Sequence, residues 1–268
     1  MPILIPILIL TGIALVCAVL LTVSSVFFSV KENETAVAIR DCLPGANCGA
    51  CGYSGCDGYA KALSEGNVAT NLCIPGGDKT ASEIASILGV EAEDVIERVA
   101  FVACNGKCGA VDKKYDYRGE PNCIAANLSY HGDKACPSAC LGYGDCVRAC
   151  PHDAIYIKNE IARVNPQKCV GCGICVHVCP NNLINLITDT TRVVVECSNH
   201  EKGAVTRKQC TNGCIGCMKC EKTCPHGAIK VINNLATIDY SLCTGCGACV
   251  EVCPVHCIHE GIFTGGTH

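Results

Sequence analysis

The first thirty residues carry no charged side chain, and polar and charged positions then recur throughout the rest of the chain. Residues 3–30 predict one apolar helix of about 42 Å, enough to cross the roughly 30 Å hydrocarbon core of a bilayer with some tilt. Pro2 and Pro6 fall near its start, where a missing amide donor costs little. A short polar linker, 31–35, follows. Farther on, Thr80-x-x-Glu83 predicts a helix N-terminus, with Ile84, Ile87 and Leu88 on one face and Gly89 as the stop. Val95, Val99 and Val102 predict a second helix from Glu91 to about Val102. Apolar residues then come in two pairs of short runs, 154–157 with 161–164 and 228–231 with 235–238. Polar turns at Lys158-Asn159-Glu160 and Asn233-Asn234 separate them, so both pairs predict β-hairpins.

Cysteine changes this picture. The chain has 28 cysteines in 268 residues, no tryptophan and only 4% aromatic residues, so no large aromatic core is available. Such a content fits a disulfide scaffold or a metal-cluster protein, and spacing separates the two. Cys243, Cys246, Cys249 and Cys253 precede Pro254 as C-x2-C-x2-C-x3-C-P, a run that presents three thiolates to one iron-sulfur cube while the fourth reaches a neighbouring cube. The run recurs at Cys169, Cys172, Cys175, Cys179 and Pro180, and at Cys214, Cys217, Cys220, Cys224 and Pro225. Cys140, Cys146, Cys150 and Pro151 form an incomplete copy.

Upstream, Cys48, Cys51, Cys56 and Cys73 are spaced C-x2-C-x4-C-x16-C among glycines that let backbone amides approach a cluster. Four ligands suit one [4Fe-4S] cluster, with zinc as the alternative occupant. Cys42 is a spare thiol. The formal charge of -4 counts every cysteine as neutral. Five clusters at about -2 each would bring the chain to roughly -14, which favours basic partner surfaces and disfavours nucleic acid.

From Cys123 onward the chain repeats at a constant offset of 74, pairing Cys123, Cys136, Cys140, Cys146 and Cys150 with Cys197, Cys210, Cys214, Cys220 and Cys224, and Cys169 to Cys179 with Cys243 to Cys253. A hairpin between two cysteine motifs resembles the bacterial two-cluster ferredoxin, a small pseudo-symmetric α+β unit. By that resemblance the second module binds one cube through Cys214, Cys217, Cys220 and Cys253 and another through Cys243, Cys246, Cys249 and Cys224. The first module binds one through Cys169, Cys172, Cys175 and Cys150. Its other cube has Tyr143 where the second module has Cys217, which leaves Cys140, Cys146 and Cys179 as a three-ligand set or one that recruits another thiol. Cys136 is the nearest candidate. Its competing use is a sixth cluster with Cys104, Cys108 and Cys123. Cys197 and Cys210 repeat the 123/136 pair without an upstream C-x3-C, which points to a structural use of both pairs, and Cys257 has no partner assigned.

The apolar span, the run Leu43-Pro44-Gly45-Ala46-Asn47-Cys48-Gly49-Ala50-Cys51-Gly52-Tyr53-Ser54-Gly55-Cys56 and the tandem ferredoxin motifs together resemble the B subunit of the Rnf complex, the ion-translocating ferredoxin:NAD+ oxidoreductase, in its long form with two ferredoxin modules. The resemblance implies five or six [4Fe-4S] clusters that take electrons from reduced ferredoxin and relay them to other membrane and flavin or iron-sulfur subunits. It also implies coupling to Na+ or H+ transport. The residues themselves support a membrane-tethered chain of one-electron carriers. No G-x-G-x-x-G run with an acidic ribose partner is present, so nicotinamide binding is not expected, and one span cannot enclose an ion path.

Lys31 and Arg40 follow the span and nothing basic precedes it, which places the cysteine-rich part in the cytoplasm beside the cytoplasmic membrane. A cleaved secretion signal would need a basic start, a shorter apolar run and a small-residue cleavage site. The expected α+β organisation is therefore an anchor (1–30), a four-cysteine domain (31–77), a helical, cysteine-containing connector (78–122) and two ferredoxin-like modules (123–196 and 197–268). Two other readings compete: the polyferredoxin subunit of a membrane hydrogenase or formate dehydrogenase complex, and a zinc-binding interaction protein.

Overall fold

The computed structural model describes residues 4–27, 33–66, 68–188 and 191–261. Helix α1 (Leu4–Phe27) is 24 residues long and has neither an acidic first turn nor a basic last turn. The Thr11 and Thr22 hydroxyls donate to the carbonyls of Ile7 and Ala18 at 2.9 Å, so neither needs an external partner. Among the described residues no helix is long and apolar enough to cross a membrane. Both ends of the expected span, 1–3 and 28–30, lie outside the described residues, as do Lys31 and Glu32 of the expected linker. The linker's remainder is helical: α2 (Glu34–Cys42) starts there, capped by Asn33, whose side chain accepts from the Thr35 amide at 3.1 Å.

Helix α3 (Cys56–Glu65), a 3-10 turn at Ile74–Gly76 and α4 (Gly77–Leu88) pack with α2 around Ile39, Tyr59, Leu63 and Ile84. Helix α4 starts earlier than predicted, so Thr80 lies inside it and points its hydroxyl at the Cys42 carbonyl, 3.5 Å away. Gly89 closes it in the left-handed conformation, as its position after Leu88 predicts. The second expected helix does not form. Residues 91–97 are irregular, held by the Val95 backbone amide on Asp78 Oδ1 at 2.8 Å and by the side-chain Nδ2 of Asn71 on the Asp94 carbonyl at 3.1 Å. Residues 98–102 are instead strand β1 (Arg98–Val102). Its β-branched and aromatic side chains favour an extended backbone once a partner strand is present, and that partner lies far along the chain.

The rest of the chain mixes short helices and strands, as an α+β chain should. In order come α5 (Cys123–Leu128), α6 (Asp145–Ala149), β2 (Ile155–Lys158), β3 (Ile161–Val164), α7 (Ile174–Val178) and β4 (Ile184–Thr188). Then follow β5 (Val193–Val195), α8 (Gly203–Gln209), α9 (Lys219–Thr223), β6 (Ile229–Ile232), β7 (Leu235–Ile238), α10 (Ala248–Glu251) and β8 (Ile258–Glu260). The hairpins β2–β3 and β6–β7 form where the sequence predicts them. Two further antiparallel pairs join distant segments, β1 with β4 and β5 with β8.

These pairings shift the expected boundaries. β1 lies in the expected connector yet completes the first module, and β5 lies within 123–196 yet pairs in the second. The first core gathers Ala100, Val102, Ile155, Ala162, Leu183 and Ile184 around buried Cys146 and Cys175. The second gathers Val193, Ile229, Ala236 and Ile258 around Cys214, Cys220, Cys249 and Cys253.

Gly171 and Gly245 sit at matching places inside the two C-x2-C-x2-C loops, with φ of 65° and 72°. A Cβ on Gly171 would strike the backbone carbonyl of Arg98, where β1 begins, and one on Gly245 would strike Cβ and Cγ of Arg192, whereas one on Gly227, also left-handed, meets nothing within 4 Å. Gly171→Ala and Gly245→Ala are therefore each expected to cost about 3 kcal/mol, from left-handed backbone strain plus overpacking, and Gly227→Ala about 1–2 kcal/mol from strain alone. Urea midpoints of the three anaerobic variants, compared with the parent, check this; equal midpoints in all three would contradict the close contacts at Gly171 and Gly245.

Candidate iron-sulfur sites

In the first domain, α3 opens at Cys56, whose amide donates to Asn47 Oδ1 at 2.8 Å and so closes the loop carrying Cys48 and Cys51. Tyr59, 1% exposed, donates its hydroxyl to the Ala69 carbonyl at 2.8 Å and accepts from the Leu72 amide at 3.3 Å, which brings Cys73 to the same place. Burial and the neighbouring sulfurs of Cys56, Cys48 and Cys51 push the Cys73 thiol up to about 11. All four candidate ligands of this domain stand together.

The two modules use one device repeatedly: a left-handed residue ends a cysteine loop and a one-turn helix carries the third thiol inward. Gly173, Met218 and Gly247 cap α7, α9 and α10, which bury Cys175, Cys220 and Cys249. Cys224, Cys243, Cys246 and Cys249 line one cavity, and Cys214, Cys217, Cys220 and Cys253 line another. Burial and the sulfurs of Cys169, Cys172 and Cys150 push the Cys175 thiol up to about 12, so these four also cluster. The sulfurs therefore gather across motifs, the fourth cysteine of each run standing with the first three of the other.

The cavity of the incomplete run also holds a cysteine that sequence spacing did not connect with it. Cys123 lines a cavity with Cys140, Cys146 and Cys179. Asp145, paired with Arg148, accepts from the Cys123 and Ile124 amides at 3.0 and 3.2 Å, and Asn122 caps the helix by accepting from Ala125 at 2.7 Å. That anchoring holds the start of α5 over the cavity. Tyr143 packs at a tilt of 57° against Tyr117 with ring centroids 5.6 Å apart, and its hydroxyl is pushed up to about 12 by burial and by Asp133.

The expected grouping of Cys104, Cys108, Cys123 and Cys136 is thus not formed. Cys108 is exposed, Cys123 stands with Cys140, and Cys136 stands away from that set, in a cavity lined also by Cys104, Cys197 and Cys210. Buried Cys257 lies against a proposed ligand set, its sulfur 3.7 Å from that of Cys253. Hydrogen bonding with Cys257 pulls Cys214 down to about 6 and Cys253 to about 5, while Cys257 itself is driven upward.

Four cysteines around an apolar cavity are the donor set of a [4Fe-4S] cube, and the cavities are lined otherwise mainly by apolar side chains. Amides also point at sulfur: Ala100 at Cys169, Ala154 at Cys150, Ala162 at Cys140 and Leu183 at Cys179, all at 3.4 Å. Such bonds stabilise negative charge on cluster sulfur and raise its potential.

Comparison with known proteins agrees with this donor set. A family model for an Fe-S cluster domain matches residues 43–75, and models of the 4Fe-4S dicluster domain match 133–186, 209–259 and 168–229. The chain is 40% identical over 264 residues to the B subunit of the Na+-translocating ferredoxin:NAD+ oxidoreductase complex of Acetobacterium woodii, covering 98% of this chain and 79% of that protein. It is 40% identical to the proton-translocating counterpart of Clostridium ljungdahlii, over 96% of this chain and 92% of that one. The B subunit of the ion-translocating oxidoreductase complex of Methanosarcina acetivorans is 39% identical, over 92% and 94% of the two chains. This chain belongs to the family of Rnf complex B subunits.

Within this member of the Rnf family the sulfur sets are also neighbours of one another. The sulfur of Cys48 acts on Cys172, which links the first domain to the 150/169/172/175 set, and Cys175 acts on Cys146, which links that set to 123/140/146/179. If Cys123 supplies the fourth thiolate of the latter, Cys123→Ser lowers iron by about four per chain while Tyr143→Phe leaves it unchanged. Iron and sulfide counts on anaerobically purified variants decide this, and equal losses would discard the Cys123 assignment.

Proposed function

We propose that this chain is the iron-sulfur electron-transfer subunit of an ion-translocating ferredoxin:NAD+ oxidoreductase complex, and that it takes electrons from reduced ferredoxin for the other subunits. The observation that carries the reading is the succession of adjoining four-cysteine sets described above. The proposed ligand sets are 48/51/56/73, 150/169/172/175, 123/140/146/179, 214/217/220/253 and 224/243/246/249. When bound, each [4Fe-4S] cluster accepts and returns one electron. The chain holds each set at fixed separation, aims amides at its sulfurs and lines it with apolar side chains that exclude water.

Tethering to the cytoplasmic membrane is the second part of the proposal. The charge-free helix α1 presents exposed apolar side chains along its described length, the residues that complete the expected span lie outside the described ones, and basic Arg40 follows it. The cysteine-rich part then lies on the cytoplasmic, reducing side. No ion path fits within one helix, so ion movement falls to the partners in the complex.

Anaerobic redox titration of the full chain in detergent is expected to show centres low enough to be reduced by ferredoxin. Every centre above about -150 mV, the lower edge of the high-potential Rieske range, would overturn the donor assignment. Washing membranes with alkaline carbonate should leave the full chain in the pellet and release a variant lacking residues 4–27; release of both would remove the anchor.

A further inference from the structure

The cavity between the two ferredoxin modules belongs to none of the five sets above. Its wall carries the sulfurs of Cys104, Cys136, Cys197 and Cys210, two from each module, and all four are buried or half-buried. Burial pushes the Cys136 thiol up to about 12, and the three other sulfurs, Cys104, Cys210 and Cys197, each act on it.

The two halves of the site match. Cys104 follows β1 by two residues and Cys197 follows β5 by two, while Cys136 and Cys210 each stand four residues before the first cysteine of a cluster motif. The amides repeat the match. Cys140 donates to Cys104 Sγ and Cys214 to Cys197 Sγ, both at 3.3 Å, and Gly106 and Asn199 donate to the same two sulfurs at 3.4 and 3.5 Å. The loops carrying Cys104 and Cys197 run side by side, with the Asn105 amide on the Glu196 carbonyl at 2.9 Å and the Ser198 hydroxyl on the Ala103 carbonyl at 3.0 Å. A loop pair built only for packing has no need to turn two amides onto each of two sulfurs.

A second observation concerns charge. Lys134 is 2% exposed, and among the described residues its ammonium donates to the carbonyls of Glu160 at 2.9 Å and Gly106 at 3.4 Å and pairs with no carboxylate. Its charge acts on Cys104, Cys210 and Cys140. A buried ammonium without a carboxylate is costly unless negative charge lies nearby. Four thiolates around an iron-sulfur core provide that charge.

We infer that Cys104, Cys136, Cys197 and Cys210 ligate a further [4Fe-4S] cluster at the seam between the modules, joining the set that contains Cys140 to the set that contains Cys214. The inference rests on the iron-sulfur reading of the other sets and extends it. Ligation replaces four S–H bonds by four S–Fe bonds and releases four protons, with iron and sulfide supplied as for the other sites. It joins the sets of the two modules, since Cys140 and Cys214 each touch the seam through their amides.

The test counts iron, sulfide and zinc in the anaerobically purified full chain and in Cys136→Ser, Cys210→Ser, the double variant and Cys108→Ser. The unaltered chain should hold about 24 irons. Each single variant and the double variant should lose the same four or so irons and sulfides, because the two thiols share one cluster, and Cys108→Ser should lose none. Full iron in both single variants, a double loss in the pair, or loss of zinc instead of iron would overturn the assignment. Native mass spectrometry of the unaltered chain reads the number of cubes without any substitution. Six supports the seam cluster; five overturns it and leaves the electron-transfer reading standing; none overturns both.

Discussion

Four thiols around a shared cavity take the place that a cluster of large apolar side chains fills in an ordinary small domain. With few aromatic residues and strands of three to five residues, neither module has much apolar surface to bury, and its core is in part its own cysteines. Small domains of this kind depend on metal ligation, because binding free energy becomes folding free energy when the unfolded chain cannot assemble the site. Helix starts, left-handed loop residues and strand pairings can all be read as means of bringing sulfurs to common points.

The same burial that gathers the thiols makes them poor anions without a cluster. Cys136, Cys146 and Cys175 are each pushed up to about 12, mainly by loss of water and then by neighbouring sulfurs. A bound iron-sulfur core would offset that penalty, and the backbone amides and Lys134 would offset its residual negative charge. Cys257 acts in the same direction on the 214/217/220/253 set, where the other module has Leu183. The two modules therefore hold similar sulfur sets in unequal electrostatic surroundings, a physical basis for different potentials.

Topology and sequence register disagree about which cysteines correspond. The offset of 74 aligns Cys123 with Cys197, yet Cys123 lines the cavity of Cys140, Cys146 and Cys179, while Cys197 occupies the place after its module's first strand that Cys104 occupies in the other. The segment between β1 and Cys136 is longer than its counterpart between β5 and Cys210, and α5 within it delivers a thiol to the site where Tyr143 cannot. The longer segment thus brings a thiol from outside the motif to the cavity of the incomplete run.

Local chemistry sufficed for what depends on neighbours in the chain: the iron-sulfur class, the regular four-cysteine runs, both hairpins, the end of α4 at Gly89 and the charge-free N-terminal helix. Each is set by spacing, by turn residues or by period, which act over a few residues. Residues 98–102 read as helix because their valines suit either period, and only β4, some eighty residues later, settles the matter by pairing. The same distance hid which cavities Cys104, Cys123, Cys136, Cys197 and Cys210 line. A thiol carries no local mark of the site it faces, and which sulfurs meet is decided by how the modules close on each other.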